Sequence, residues 1–169
     1  MHDLNSSQLK HHAAIGGVAL NWTHLENFVQ SILWRVAKLD PKIGRCITHH
    51  MAFRAVCEAI MTIANETNAL QHLALEFKGL FLECEQLSRK RNDTVHALWG
   101  IFLQPAGSEQ QSVTRLASEV EGMIIKARGS LKININRTTA SEIDDISEEI
   151  IGLSKKLAEF VTRNIPEQY

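Results

Sequence analysis

What this chain of 169 residues lacks narrows its class first. It has no excess of one charge sign: 18 Lys and Arg stand against 19 Asp and Glu, a formal net charge of -1. That balance argues against a broadly basic nucleic-acid coat and permits a local basic patch. It has only three cysteines, Cys46, Cys57 and Cys84, an odd number without metal-like spacing. They read as reduced core residues of a cytoplasmic protein, not a disulfide framework. No apolar run approaches the length of a membrane span. The opening Met1-His2-Asp3-Leu4-Asn5 has no basic region followed by an apolar one, so no signal peptide is visible. There is no internal repeat and no low-complexity segment. The phosphate-cradling G-x-x-x-x-G-K-[ST], the dinucleotide G-x-G-x-x-G and the nucleophile-elbow G-x-S-x-G are missing, which argues against a nucleotide kinase, a Rossmann dehydrogenase and an α/β hydrolase.

What remains is ordinary globular material. Hydrophobic residues make up 44% and charged residues 22%, enough for one domain with a real core over residues 1–169. Residues 1–14 are polar and read as flexible, and Gly16-Gly17 weakens a helix there. From Val18 the apolar residues Val18, Trp22, Leu25, Val29, Ile32 and Val36 recur at steps of 4, 3, 4, 3 and 4, one helical stripe. Asp40-Pro41 predicts a helix start, with Asp40 as N-cap and Pro41 in the first turn. A second helix is expected from about 41 to 65, its apolar side led by Ile43, Ile47 and Met51. The third is the clearest: Leu70, Leu73, Phe77, Leu80, Cys84 and Leu87. The last is expected from near Ser141, capped by Thr139 or Ser141, with Ile143, Ile146, Ile150, Leu153, Leu157 and Val161 as its stripe.

Between residues 100 and 137 the period changes. Leu131, Ile133 and Ile135 alternate with Lys132, Asn134 and Asn136, the best strand pattern in the chain. Weaker strand candidates are 101–103, 112–117 and 123–127, with 128–130 as a hairpin turn. The fold class is therefore mainly α: a bundle of four to five long helices with a small antiparallel β insertion before the last.

The chemistry concentrates in Arg89-Lys90-Arg91-Asn92-Asp93-Thr94-Val95-His96. Continuing the third helix's seam by its own steps leads from Leu87 to Arg91 and then Thr94. A charge in a seam is costly unless it is paired or wetted. Two readings of Arg91 stand at this point: a structural ion-pair partner, for instance to Glu26, or a functional group at the mouth of a groove. The pairs His11-His12 and His49-His50 do not favour a metal, because adjacent residues on a helix point about 100° apart. No cofactor is expected. Lys132 and Arg137 read as solvated charges of a sheet edge.

The pattern Arg91-Asn92-x-x-x-His96 at the end of a long helix resembles the HEPN superfamily (higher eukaryotes and prokaryotes nucleotide-binding domains), whose hallmark is an R-x(4–6)-H motif in a compact bundle. Trp22-Thr23-His24-Leu25-Glu26 is similar to a W-x-x-L-E element on the first helix of many small bacterial members. The resemblance covers roughly residues 15–100, with the last helix in keeping. It implies metal-independent RNA cleavage in active members, usually in a cleft between two protomers, and a binding or dimerisation role in inactive ones. On that footing Arg91 would bind phosphate, His96 would act as acid or base, Asn92 would assist, Arg89 and Lys90 would attract RNA, and Glu26 would orient Arg91. A toxin or defence effector, with a neutralising antitoxin protein as partner, would fit.

The residue types suit that reaction. RNA carries its own nucleophile in the 2′-OH, so a metal is not obligatory. Imidazole exchanges protons near neutral pH, and a guanidinium grips phosphate with two parallel donors. One geometric demand follows. On an unbroken helix Arg91 and His96 point roughly 140° apart, at about 100° per residue. Either the helix bends within the motif, or a two-fold axis brings Arg91 of one copy to His96 of another. The second option makes the protein a homodimer.

Overall fold

The computed structural model describes residues 6–100, 121–127 and 131–165. Among them the chain is mainly helical, consistent with a helical bundle. Helix α1 spans Ser6–Val36, α2 Pro41–Thr48, α3 Phe53–Glu66, α4 Ala74–Val95 and α5 Ala140–Asn164, with a 3₁₀ turn at Gln71–Leu73. Two compact units result, one from residues 1–20 with 89–147, the other from 21–88 with 148–169.

The unit of residues 21–88 and 148–169 is built on the apolar stripes. Trp22, Leu25, Val29 and Ile32 of α1 are buried, as are Val56 and Ile60 of α3, Phe77 of α4, and Ile150, Leu157 and Val161 of α5. Aromatic rings lock the layers: Trp22 lies 5.0 Å from Phe53, and Phe77 meets Phe160 edge-on at 4.8 Å. The antiparallel segments of α4 and α5 carry Glu83–Lys156 at 2.8 Å and Glu76–Arg163 at 3.5 Å. Both pairs are solvated, so they set register more than stability.

Helix α1 ends in a Schellman turn. Leu39 N–H donates to Trp34 O at 2.9 Å and Lys38 N–H to Arg35 O at 3.1 Å. Lys38 takes the left-handed position, φ 55°, that glycine usually fills. Asp40 then caps α2 as expected, its Oδ1 accepting from Lys42 N–H at 2.8 Å.

The single helix expected over 41–65 is two helices. Helix α2 buries Gly44 and Thr48 and leaves Ile43 and Ile47 more than half exposed. Helix α3 buries Val56, Cys57, Ile60 and Ala64. One straight helix cannot present both faces inward, because the buried set rotates between them, and the chain breaks at residues 49–52. A β-carbon on Gly44 would stand 2.5 Å from Trp34 Cγ, so the indole lies directly on the α2 backbone. Trp34 Nε1–H donates to Thr48 Oγ1 at 3.2 Å, one turn further along.

The unit of residues 1–20 and 89–147 corrects a second expectation. Residues 6–14 are not a flexible tail: α1 already starts at Ser6, and His11 and Ala14 are each 3% exposed. Gly16 and Gly17 lie inside the helix, and a β-carbon on Gly17 would come within 3.5 Å of Ser147 Oγ. Between α4 and α5 the backbone forms strands β1 (Leu98–Gly100), β2 (Glu121–Ala127) and β3 (Leu131–Arg137) in the order β1-β2-β3. Both pairings are antiparallel, with Trp99 opposite Gly122 and Ala127 opposite Leu131. The strand candidates at 101–103 and 112–117 and the turn at 128–130 lie outside the described residues.

Helix α5 opens with a reciprocal cap. Thr139 Oγ1 accepts from Glu142 N–H at 3.2 Å, and Glu142 Oε2 accepts from Thr139 N–H at 2.7 Å. These bonds hold the Glu142 carboxyl below its ordinary range, the backbone donor first and the hydroxyl second.

Candidate active site at the end of α4

The seam of α4 runs into the motif as its spacing requires. Leu73, Phe77, Cys84 and Leu87 are buried and Leu80 is half-buried; then Arg91 is half-buried and Thr94 is 6% exposed. A guanidinium and a hydroxyl thus continue a row of aliphatic and aromatic side chains. Thr94 satisfies its hydroxyl on its own helix, donating to Lys90 O at 2.9 Å. Arg91 is anchored locally: Nη1–H donates to Asn92 Oδ1 at 2.8 Å. Its Nε is buried without a hydrogen-bond partner among the described residues, an uncompensated donor of the kind that costs about 1–3 kcal/mol.

Asn92 therefore works on Arg91. The link from residue 92 to residue 96 is in the backbone, His96 N–H to Asn92 O at 3.1 Å. That bond continues the α-helical pattern through Val95 and into the motif's last residue, so the helix is unbroken across the motif. His96 itself is exposed, at the first position past the helix. Arg89 and Lys90 are exposed on α4. Glu26 is half-buried on α1 in the other compact unit; the side-chain bond that anchors Arg91 is to Asn92.

Trp99 closes the end of α4. Its Nε1–H donates to Thr94 O at 2.7 Å, satisfying one of the last-turn carbonyls that a helix leaves unpaired. The His11 and Trp99 rings meet edge to face, their centroids 4.9 Å and their planes 61° apart. Burial pushes the His11 imidazole below its ordinary pKa, with the neighbouring His12 charge adding to the effect, and its Nε2 has no hydrogen-bond partner among the described residues. Sequence reasoning weighed His11 only with His12 as a metal pair and passed over its burial. Its signal was the stripe of α1 itself: stepping back from Val18 by 4 and then 3 gives Ala14 and His11.

The other flagged side chains separate cleanly. His11 is buried and His12 exposed, so that pair diverges; His49 and His50 lie edge to face at 4.6 Å, both exposed. Among the described residues no three His, Cys, Asp or Glu gather as a metal site. Cys57 and Cys84 are buried, and burial first pushes each thiol up to about 12. Cys46 is exposed on α2, which corrects its expected place in the core: the inward face of that helix is Gly44 and Thr48. No helix among the described residues is long and apolar enough to cross a membrane.

Comparison with known proteins gives no relative to lean on: no family model, no curated protein and no solved structure matches the chain.

Proposed function

We propose that the protein is a HEPN-like helical bundle that cleaves RNA without a metal, as a homodimer, with Arg91 and His96 meeting across the two-fold axis. The observation that supports the reading is the unbroken α-helical course of α4 through the motif, with Arg91 tied to Asn92 at 2.8 Å and His96 exposed just past the helix end. On an unbroken helix the two side chains leave the backbone about 140° apart. A second copy related by a two-fold axis would bring both groups to one phosphate.

In that arrangement Arg91 grips the scissile phosphate through the nitrogens not spent on Asn92. The partner's imidazole takes the proton of the 2′-OH. The 2′-oxygen attacks phosphorus, the bond to the 5′-oxygen breaks, that oxygen takes a proton from water as it leaves, and the imidazolium gives its proton back to the hydroxide so formed. The products are a 2′,3′-cyclic phosphate and a free 5′-OH. Arg89 and Lys90 add sequence-independent attraction for the strand. A cytoplasmic toxin or defence effector, silenced by an antitoxin protein, is a setting in keeping with such an activity.

The test is cleavage of generic RNA by pure protein in EDTA, with oligomeric state measured by light scattering. His96→Ala is expected to lower the rate by roughly 10²- to 10⁴-fold, the usual share of a general acid or base. A strict monomer at micromolar concentration excludes the shared site. Equal inertness of wild type and His96→Ala, both folded dimers, leaves a non-catalytic HEPN-like binding domain instead.

A further inference from the structure

Helix α2 inverts the usual arrangement of a surface helix. It buries Gly44 and Thr48 and turns Ile43 and Ile47 to solvent, 56% and 51% exposed. Single exposed apolar residues are common on protein surfaces. These two differ. Among the exposed large apolar side chains of the described residues, they alone stand one helical turn apart. The helix is held in this seating by Trp34, whose indole lies on the Gly44 backbone and whose Nε1–H donates to Thr48 Oγ1 at 3.2 Å.

The charge around the pair is just as uneven. Residues 35–54 hold five of the 18 Lys and Arg and one of the 19 Asp and Glu, so this stretch carries +4 and the rest of the chain -5. The one carboxylate, Asp40, is engaged in capping α2, and Arg54 is paired with Glu58 at 2.8 Å. Lys38, Lys42 and Arg45 are exposed and make no ion pair among the described residues. At about 100° per residue, Arg45, His49 and Lys42 span about 60° of the α2 surface; Cys46 comes next, and Ile43 and Ile47 follow about 60–100° beyond it. The outer face of α2 is thus a basic strip beside an apolar one.

We propose that this face of α2 docks on an anionic lipid surface, with Ile43 and Ile47 entering the boundary between headgroups and acyl chains and Lys38, Lys42 and Arg45 meeting lipid phosphates. A helix with cations beside its apolar side lies in the membrane plane through this combination of buried apolar area and charge. Such a contact asks for no helix able to cross a bilayer, and the described residues hold none. A second copy does not suit the face, because a two-fold contact would set cation against cation. An RNA strand would use the cations and leave the isoleucines idle, since bases stack on aromatic faces. The exposed rings here, His49 and His50, are turned edge to face on each other at 4.6 Å. The surface shares no residue with the motif at the end of α4.

The test is flotation of the full chain with vesicles of phosphatidylcholine alone or with about one third phosphatidylserine. Cys46, at the centre of the face, carries a polarity-sensitive dye for a parallel fluorescence measurement; Cys57 and Cys84 are buried, so one label enters each folded chain. Saturable binding to the anionic vesicles only, with a blue shift of the dye, is expected. Lys42→Gln with Arg45→Gln should weaken binding about 25-fold, at about fivefold for each cation near such a surface. Ile43→Ser with Ile47→Ser should weaken it roughly tenfold and leave the dye unshifted. Lys78→Gln with Lys155→Gln, two exposed cations on other helices, should change nothing. All three double variants alter exposed positions and should keep the circular dichroism of wild type. Wild-type protein alone can already refute the proposal, by failing to float with anionic vesicles or by floating with an unshifted dye. Binding that keeps its strength without the isoleucines, or that falls equally with Lys78 and Lys155, also overturns it. A single-stranded RNA that displaces the protein from vesicles, and itself fails to bind the Lys42→Gln, Arg45→Gln protein, assigns the face to nucleic acid and overturns the lipid reading.

Discussion

Two glycine-to-alanine substitutions in one compact unit should move stability in opposite directions. In an exposed helix interior, Gly to Ala gains about 0.8–1.0 kcal/mol from backbone propensity. At Gly79 of α4 nothing lies within 4 Å of the new β-carbon, so Gly79→Ala should realise that gain. At Gly44 of α2 the β-carbon would stand 2.5, 2.6 and 2.9 Å from Trp34 Cγ, Cδ1 and Cδ2. Normal carbon contacts begin near 3.5 Å, so helix and indole must part by about 1 Å. Neither side gives freely, because Trp34 Nε1–H is bonded to Thr48 Oγ1 on the same helix as Gly44. Overpacking costs about 1–3 kcal/mol and the strained indole bond about 1 kcal/mol. Against the propensity gain, Gly44→Ala should lose about 1–3 kcal/mol net. The two variants should therefore differ by about 2–4 kcal/mol in urea unfolding followed by far-ultraviolet circular dichroism. A Gly44→Ala protein as stable as wild type, or a Gly79→Ala protein less stable than it, refutes the reasoning.

Lys38→Gly should stabilise by about 0.5–1 kcal/mol, since a β-carbon at positive φ is removed from the end of α1; a lower melting temperature would show that the turn is held by the lysine side chain. With a thiol reagent at mildly alkaline pH, Cys46 should react at once, while Cys57 and Cys84, buried and shifted up to about 12, should wait for unfolding; labelling of all three at one rate contradicts this. The His11 imidazole has a folded pKa below its unfolded value of 6.5, so its contribution is present above pH 6.5 and is lost as pH falls through the folded value. His11→Phe should flatten that part of the stability–pH curve, and an unchanged slope would assign it to another group. Thr139→Ala should cost about 1 kcal/mol at the start of α5, read as faster amide exchange at residues 140–143; unchanged exchange would mean the cap carries no weight.

The parts of the fold that were legible in the sequence are those where burial dictates the residue. Steps of 3 and 4 marked α1, α4 and α5, and Asp40-Pro41 marked the start of α2, because an apolar stripe and a cap are local requirements. The break between α2 and α3 was not legible. No proline or glycine marks residues 49–52, and the cause is tertiary: Trp34 selects Gly44 and Thr48 as the buried face, turning Ile43 and Ile47 outward. The start of α1 was missed because His11 and Gly16-Gly17 read as polar or helix-weakening, whereas burial of His11 beside Trp99 holds that end. At the motif, spacing placed Arg91 and Thr94 in the seam and His96 about 140° away from Arg91. It did not show that Asn92 would spend its carbonyl on Arg91, since neighbours on a helix face different ways and only a long, flexible arginine can close that gap.

The rungs between α4 and α5 also govern which length changes the chain can absorb. Glu76 and Glu83 are seven residues apart, as are Lys156 and Arg163. Adding or removing one residue between either pair swings one rung about 100° around its helix and drags Phe77 or Phe160 out of their edge-on contact. Insertions should thus be absorbed in connecting loops and rejected in these two stretches, where residue count matters more than the identity of any one charge.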